Sequence, residues 1–134
     1  MTAPRLVIDT DVASKLWAGR LSEQVDQFLC GHTLVITPVT LGEVVKGVYS
    51  ARWSRGHLFD LLIYYEQVFG LLEWHAAIPM AYGMLAGLGR RRGITVGDND
   101  LWIASWCLAF QLPLVTMNRR HFEPLERFGL TIAP

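Results

Sequence analysis

The chain has 134 residues, of which 51% are hydrophobic and 18% are charged. This balance indicates a globular protein with a core of its own and excludes a disordered chain, and we expect residues 1–134 to form a single domain. The 12 basic and 12 acidic side chains give a formal net charge of zero, so the whole molecule is not expected to attract nucleic acid or an anionic membrane. Any polyanion must therefore be bound by a local basic patch.

Cysteine usage and hydropathy indicate a cytoplasmic protein. Cys30 and Cys107 show no metal-type spacing, and we expect both to be free thiols in a reducing compartment. The acid at position 9 follows the N-terminus too soon for a secretory signal. The uncharged stretch 101–118 contains Pro113, so it is interpreted as helix, turn and strand rather than as a membrane span. We expect no membrane association.

The first half of the chain alternates apolar runs with helical patterns. The predicted elements are a strand over 5–9, helices over 11–17 and 21–30, a strand over 34–37, a turn at Pro38, a helix from Leu41 and a helix over 56–68. From Leu41 the apolar residues recur at i, i+3, i+4 and i+7, which is the spacing of one helix face.

The second half continues the alternation. The predicted elements are a third strand over 69–74, helices over 76–91 and 98–110, a fourth strand over 114–116 and a short fifth strand over 130–132. Strands that alternate with helices favour a parallel sheet covered on both faces, which is a three-layer α/β/α fold.

Three isolated carboxylates stand near strand ends or helix starts in this pattern. Asp9 ends the first apolar run, and Glu43 and Asp100 lie near the starts of helices. Ligands of open α/β sheets bind at the carboxyl ends of the strands. Two carboxylates ~4 Å apart repel by about 4 kcal/mol at an effective dielectric constant near 20, so a cluster needs a cation or shifted protonation. Oxygen ligands favour Mg²⁺ or Mn²⁺, which can promote attack on a phosphodiester.

Each acid near a helix start also has a purely structural interpretation. A helix N-terminus stabilises a carboxylate by roughly 0.3–1 kcal/mol, and this alone would explain why acids stand at positions 43 and 100. Asp98 follows Gly97 and is a good N-cap, so capping and support of a metal site are both open. Asp11 can equally cap the helix that it opens.

Four ordered motifs resemble those of the PIN-domain ribonucleases, and specifically of the VapC toxins of bacterial toxin–antitoxin pairs. They are the first-strand motif over 7–12, Glu-x-x-x-Gly at 43–47, Asp-x-x-Ile-Ala at 100–104, and the strand-four motif over 114–118 followed by Phe122. The resemblance covers nearly the full length of the chain. It implies a sheet of about five parallel strands in the order 3-2-1-4-5, with Asp9 at the switch point between strands one and four.

The resemblance also implies an activity. The chain would be a Mg²⁺-dependent endoribonuclease whose metal-activated water leaves 5′-phosphate and 3′-hydroxyl ends. Asp9 and Asp100 would bind the metal, Glu43 would complete the acidic cluster, and Asp98 would be an additional acid. The implied partners are an RNA substrate, a VapB-like antitoxin whose tail occupies the acidic groove, and a second copy of the chain in a homodimer.

Two positions depart from the family pattern and bear on the metal count. Asn118 stands where some members carry a fourth acid, and His121 precedes Phe122 in place of an acid. Because asparagine adds no negative charge, we expect the site to hold one metal ion rather than two.

Candidate RNA contacts lie near the same edge of the predicted sheet. They are Thr10, Lys46, Asn118, Arg119 and Arg120. The run Arg90-Arg91-Arg92 has two interpretations, either complementing the helix dipole or contacting phosphates, and phosphate contacts would make RNA binding salt-dependent.

Two other functions compete with a ribonuclease. Asp-x-Asp after a first strand also resembles the signature of haloacid-dehalogenase-type phosphotransferases, but Ala13 stands where that motif usually has threonine or valine, and no lysine follows suitably. An aspartyl-phosphate analogue trapped by beryllofluoride would favour a phosphotransferase. The other alternative is a PIN-like module kept only for binding, which an absence of Mn²⁺ binding would favour.

Overall fold

The computed structural model describes residues 3–134, and its helices and strands follow the predicted alternation. The elements are β1 Arg5–Ile8, α1 Thr10–Trp17, α2 Glu23–Leu29, β2 Thr33–Ile36, α3 Pro38–Ser50, α4 Arg55–Val68, β3 Gly70–Leu71, α5 Ala77–Arg91, α6 Asp98–Phe110, β4 Leu114–Val115 and α7 Arg119–Phe122. A 3₁₀ turn over Glu123–Phe128 follows α7. The predicted three-layer α/β/α fold is confirmed.

The described strands form a parallel sheet in the order β3-β2-β1-β4. This matches the predicted order but contains four strands rather than about five. The predicted fifth strand is reduced to a single parallel bridge between Ile132 and Leu114. Leu114 N donates to Thr131 O at 2.9 Å, and Ala133 N donates to Leu114 O at 2.8 Å. Because β4 has only two residues, the last segment cannot form a longer run of backbone hydrogen bonds with it.

Side chains of β1 alternate between two hydrophobic cores, one on each face of the sheet. Leu6 and Ile8 pack in one core, and Val7 packs in the other, as the two-residue period of a strand requires. The first core also contains Val12, Val48 and Leu61 from α1, α3 and α4, and the second contains Leu85 and Ile103 from α5 and α6. The strands are thus buried on both sides, and their carboxyl edge is left for the site.

The structure differs from the predicted elements at a turn, a strand and a short helix. Pro38 does not form a turn but opens α3, where its missing N–H costs no helical bond. Thr37 caps that helix by accepting a hydrogen bond from Thr40 N at 3.2 Å. The third strand is limited to Gly70–Leu71, and the short helix Arg119–Phe122 was not predicted.

The hydropathy and thiol predictions can be compared with the described residues. None of the helices within 3–134 is long and apolar enough to cross a membrane. Cys30 is exposed and Cys107 is buried, and both are free thiols as predicted.

Candidate active site

Asp9 lies where the strand order reverses, between β1 and β4. Its backbone N donates to Val115 O at 3.0 Å, which fixes it beside the end of β4. Its side chain is the N-cap of α1 and is only 4% exposed. Oδ1 accepts a hydrogen bond from Thr10 N at 2.8 Å, and Oδ2 accepts one from Thr116 Oγ1 at 2.7 Å. Both carboxylate oxygens are therefore held in fixed directions.

The ionised form of Asp9 is costly despite these two hydrogen bonds. Burial raises the pKa of Asp9 from 3.8 to about 6, and the charges of Asp11 and Asp100 raise it further against the two hydrogen bonds. A buried acid that keeps its proton up to nearly neutral pH is typical of functional sites. A bound cation would relieve both the burial and the repulsion.

Asp100 meets the same group of charges from the first turn of α6. Burial is the main cause that raises its pKa, and the charges of Glu43 and Asp11 add to it, whereas His121 lowers it. His121 Nδ1 lies 3.5 Å from Asp100 Oδ2. The carboxylate that follows β1 and those of α1, α3 and α6 thus influence one another at the carboxyl edge of the sheet.

Glu43 is oriented by hydrogen bonds from two other helices. Thr10 Oγ1, at the start of α1, donates to Glu43 Oε1 at 2.6 Å. Asn99 Nδ2, in α6, donates to Glu43 Oε2 at 3.4 Å. The Thr10 and Thr40 hydroxyl oxygens are 3.2 Å apart. The side chain of Glu43 therefore links α3 to α1 and α6.

Asp98 lies in a different environment from the other acids. Its Oδ1 accepts a hydrogen bond from Tyr82 Oη of α5 at 3.0 Å, and the Tyr82 ring stacks on Trp102 with centroids 3.9 Å apart. The neighbouring carboxylates that raise the pKa of Asp100 are Glu43 and Asp11. Asp98 is therefore hydrogen-bonded to α5, and Asp11 is a further acid whose charge acts on Asp9 and Asp100.

Sequence reasoning missed the roles of Asp11 and Thr116. Asp11 was considered as a helix cap, but the helix begins one residue earlier, so Asp9 is the cap and Asp11 lies in the first turn. Thr116 follows β4 directly and reaches Asp9 across the sheet edge. Its position at a strand end next to β1 was the signal that could have identified it.

The candidate RNA contacts differ in their surroundings. Lys46, Asn118, Arg119 and Arg120 are all exposed, and the Asn118 backbone N donates to Thr116 Oγ1 at 3.0 Å. Arg119 also donates from its guanidinium to Ala133 O at 2.7 Å. This bond gives Arg119 a part in holding the last segment beside β4.

The donor set fits a hydrated cation rather than a complete protein cage. Within residues 3–134, no three His, Cys, Asp or Glu side chains are arranged to hold a metal ion together. Mg²⁺ usually keeps several waters and takes only one or two carboxylates. Asp9 and Asp100 are two carboxylates whose ionised forms are both disfavoured by burial and by like charge, so the pair fits such an ion.

Known proteins similar to the chain share both sequence and fold with it. No protein-family model matches the chain. Ribonuclease VapC1 of Haemophilus influenzae strain R2866 is 28% identical over 120 residues, covering 87% of this chain and 89% of the relative. The structure of VapBC-1 from nontypeable Haemophilus influenzae superposes with a TM-score of 0.81 and 26% identity, covering 96% of each chain. The structure of VapBC2 from Rickettsia felis, bound to a DNA fragment from its promoter, superposes with a TM-score of 0.80 and 21% identity, covering 96% of this chain and 97% of the matched chain.

Proposed function

We propose that this chain, which belongs to the VapC family of PIN-domain ribonucleases, is the endoribonuclease toxin of a toxin–antitoxin pair. The observation that supports this function best is the environment of Asp9. Asp9 is buried at the switch point of the sheet, and burial together with the charges of Asp11 and Asp100 raises its pKa to about 6. The similarity to the named VapC ribonuclease supports RNA as the substrate.

The proposed cofactor is Mg²⁺, with Mn²⁺ as a substitute, and Asp9 and Asp100 would hold it. The ion, when bound, would activate water and stabilise the charge that develops on the phosphodiester. Thr116 and the Thr10 backbone N hold the Asp9 carboxylate in place. Asp11 adds negative charge to the group.

Glu43 is proposed to accept, at Oε2, the proton that the attacking water loses as its oxygen bonds to phosphorus. Thr10 binds Oε1 tightly at 2.6 Å, whereas Asn99 contacts Oε2 at the long distance of 3.4 Å. Oε2 is therefore the freer oxygen of this carboxylate. Asp98, in contrast, is proposed to hold α6 against α5 through the hydrogen bond that it accepts from Tyr82.

The exposed residues around this edge are proposed to contact the RNA backbone. Lys46 and Arg120 are exposed cations, and the Asn118 carboxamide can donate hydrogen bonds to phosphate oxygens. Thr10 already donates its hydroxyl hydrogen to Glu43 and its backbone N–H to Asp9, so it is proposed to orient these acids rather than to donate to the RNA. Since phosphate contacts release counterions, we expect RNA affinity to fall as salt rises.

A VapB-like antitoxin and a second copy of the chain are the proposed protein partners. The similar solved structures are of VapBC, which supports an antitoxin partner. Large apolar side chains exposed from α3 to β3 offer an interaction surface. They are Tyr49, Trp53, Phe59, Leu62, Ile63 and Leu71.

The metal-dependent function is tested by comparing four carboxylate variants. Asp9→Asn and Asp100→Asn are expected to abolish RNA cleavage in Mg²⁺ and growth arrest on expression. Asp11→Asn should reduce cleavage, whereas Asp98→Asn should retain most of it because Asp98 contacts Tyr82. Circular dichroism controls for folding. Cleavage retained by folded Asp9→Asn, or full activity in EDTA, would refute the proposal.

A further inference from the structure

A cavity of about 570 Å³ opens beside the acidic group, between α1, α2, the end of β4 with the segment after it, and residues 133–134. Its lining includes Val12, Gln24, Gln27, Phe28, Thr116 and Met117. We propose that this cavity binds the base of an unpaired nucleotide next to the scissile phosphate. The proposal rests on the ribonuclease function proposed above and extends it to the choice of cleavage site.

The position of the cavity supports a subsite for the substrate. Thr116 lines the cavity and also donates its hydroxyl hydrogen to Asp9 at 2.7 Å. A group in the cavity is therefore separated by one side chain from the carboxylate proposed to hold the metal. A nucleotide whose phosphate reaches that carboxylate brings its own base, or that of its neighbour, to this cavity.

The chemistry of the lining suits a neutral, flat ligand with polar edges. None of the described residues that line the cavity has an ionisable side chain, so a phosphate or a charged side chain would find no ion-pair partner among these side chains. Phe28 and the 48%-exposed Met117 offer an aromatic ring and a polarisable thioether. Gln24 and Gln27 carry carboxamides, which both donate and accept hydrogen bonds as base edges do.

The size of the cavity and the form of RNA select an unpaired base. The volume lies in the range of small-ligand sites, roughly 300–1,000 Å³. Bases within an A-form helix are stacked, and their major-groove edges are out of reach of side chains. Only a splayed nucleotide, as in a loop or a single strand, can place its base in the cavity.

The experiment is a double-replacement cycle between the base and the cavity wall. A cleaved single-stranded RNA is selected from a randomised pool, and each nucleotide flanking the cut is replaced in turn by an abasic one. One replacement is expected to lower kcat/KM of the wild type about tenfold, as loss of a stacked base does. A Gln24→Ala/Gln27→Ala/Met117→Ala variant should lose about as much on the intact RNA and nothing further on the abasic RNA.

Two controls distinguish a base subsite from a protein-binding cavity and from a general effect of removing carboxamides. Gln67→Ala removes an exposed carboxamide from α4, outside the cavity lining, and should keep the full abasic penalty. Equal abasic penalties in the wild type and the cavity variant would overturn the subsite. Loss of antitoxin binding with unchanged RNA discrimination would also overturn it and would make the cavity a protein-binding site.

Repeating the cycle with dissociation constants in place of cleavage rates distinguishes failure of the subsite from failure of the ribonuclease function. Dissociation constants for the intact and abasic RNAs are measured in EDTA, so that cleavage does not enter. A wild type that cleaves no RNA in Mg²⁺ refutes the proposed function. In that case, coupling between base and cavity in the dissociation constants would support the subsite, and additive losses would refute it.

Discussion

Replacing Asp9 by asparagine is expected to make the metal-free protein more stable while it abolishes activity. The pKa of Asp9 is raised from 3.8 to about 6, chiefly by burial, so its ionised form destabilises the folded state at neutral pH. Asparagine has nearly the same shape and carries no charge. Its carbonyl can accept from Thr10 N, and its amide can donate to the Thr116 hydroxyl oxygen in place of the present bond.

The size and pH dependence of this effect follow from the displaced pKa. The full displacement corresponds to about 3 kcal/mol at neutral pH. We expect the free energy of unfolding to rise by about 2 kcal/mol in Asp9→Asn. The gain is smaller than the full displacement because Asp9 and Asp100 titrate as a pair, so the displacement does not belong to Asp9 alone. Since the folded pKa lies above the unfolded one, the penalty in the wild type is complete above pH ~6 and disappears as the pH falls towards 4. The advantage of the variant should disappear over the same interval.

The assay is urea unfolding in EDTA at several pH values, with Asp60→Asn, at an exposed acid of α4, as a control. Adding Mg²⁺ should stabilise the wild type and leave Asp9→Asn nearly unchanged, because only the wild type would bind the ion in its folded state. An Asp9→Asn protein that is less stable than the wild type at neutral pH, or a difference that does not change with pH, would refute the reasoning.

Two further variants test neighbouring contacts. Thr116→Val removes the donor to Asp9 Oδ2 and should lower kcat/KM about 10- to 100-fold, as loss of a group that orients a metal ligand does; an unchanged rate in a folded protein would contradict this. Arg119→Met should cost roughly 1–3 kcal/mol in urea unfolding by leaving Ala133 O without its charged donor. Arg120→Met should leave unfolding unchanged but weaken RNA binding and reduce its salt slope by about one, and the reverse pattern for the two arginines would show that their roles are exchanged.

The position of Asp9 could be predicted from sequence because it depends on a local pattern. An apolar run that ends in a carboxylate predicts a buried strand, and parallel strands bring their carboxyl ends to one edge. Glu43 and Asp100 were predicted near the starts of helices that reach the same edge, and the structure puts both in electrostatic contact there. Their roles in catalysis remain a prediction.

The departures from prediction depend on tertiary contacts. Asp98 accepts a hydrogen bond from Tyr82, sixteen residues away, which is a tertiary contact that no local pattern shows; its role at a metal site stays a prediction. Thr116 donates to Asp9 across a separation of 107 residues, which only the predicted pairing of strands one and four, and no local pattern, could have indicated. The fifth strand was overpredicted because its length depends on β4, its short neighbour.

The most direct test of metal-assisted hydrolysis is the chemistry of the cleaved ends. RNA is cut in Mg²⁺ and heavy-oxygen water, and the fragments are analysed by mass spectrometry. Attack by water at a site held by Asp9 and Asp100 should give 5′-phosphates that carry one heavy oxygen, together with 3′-hydroxyl ends. Fragments with 2′,3′-cyclic phosphates and 5′-hydroxyls, formed without an oxygen from water, would contradict the proposed mechanism.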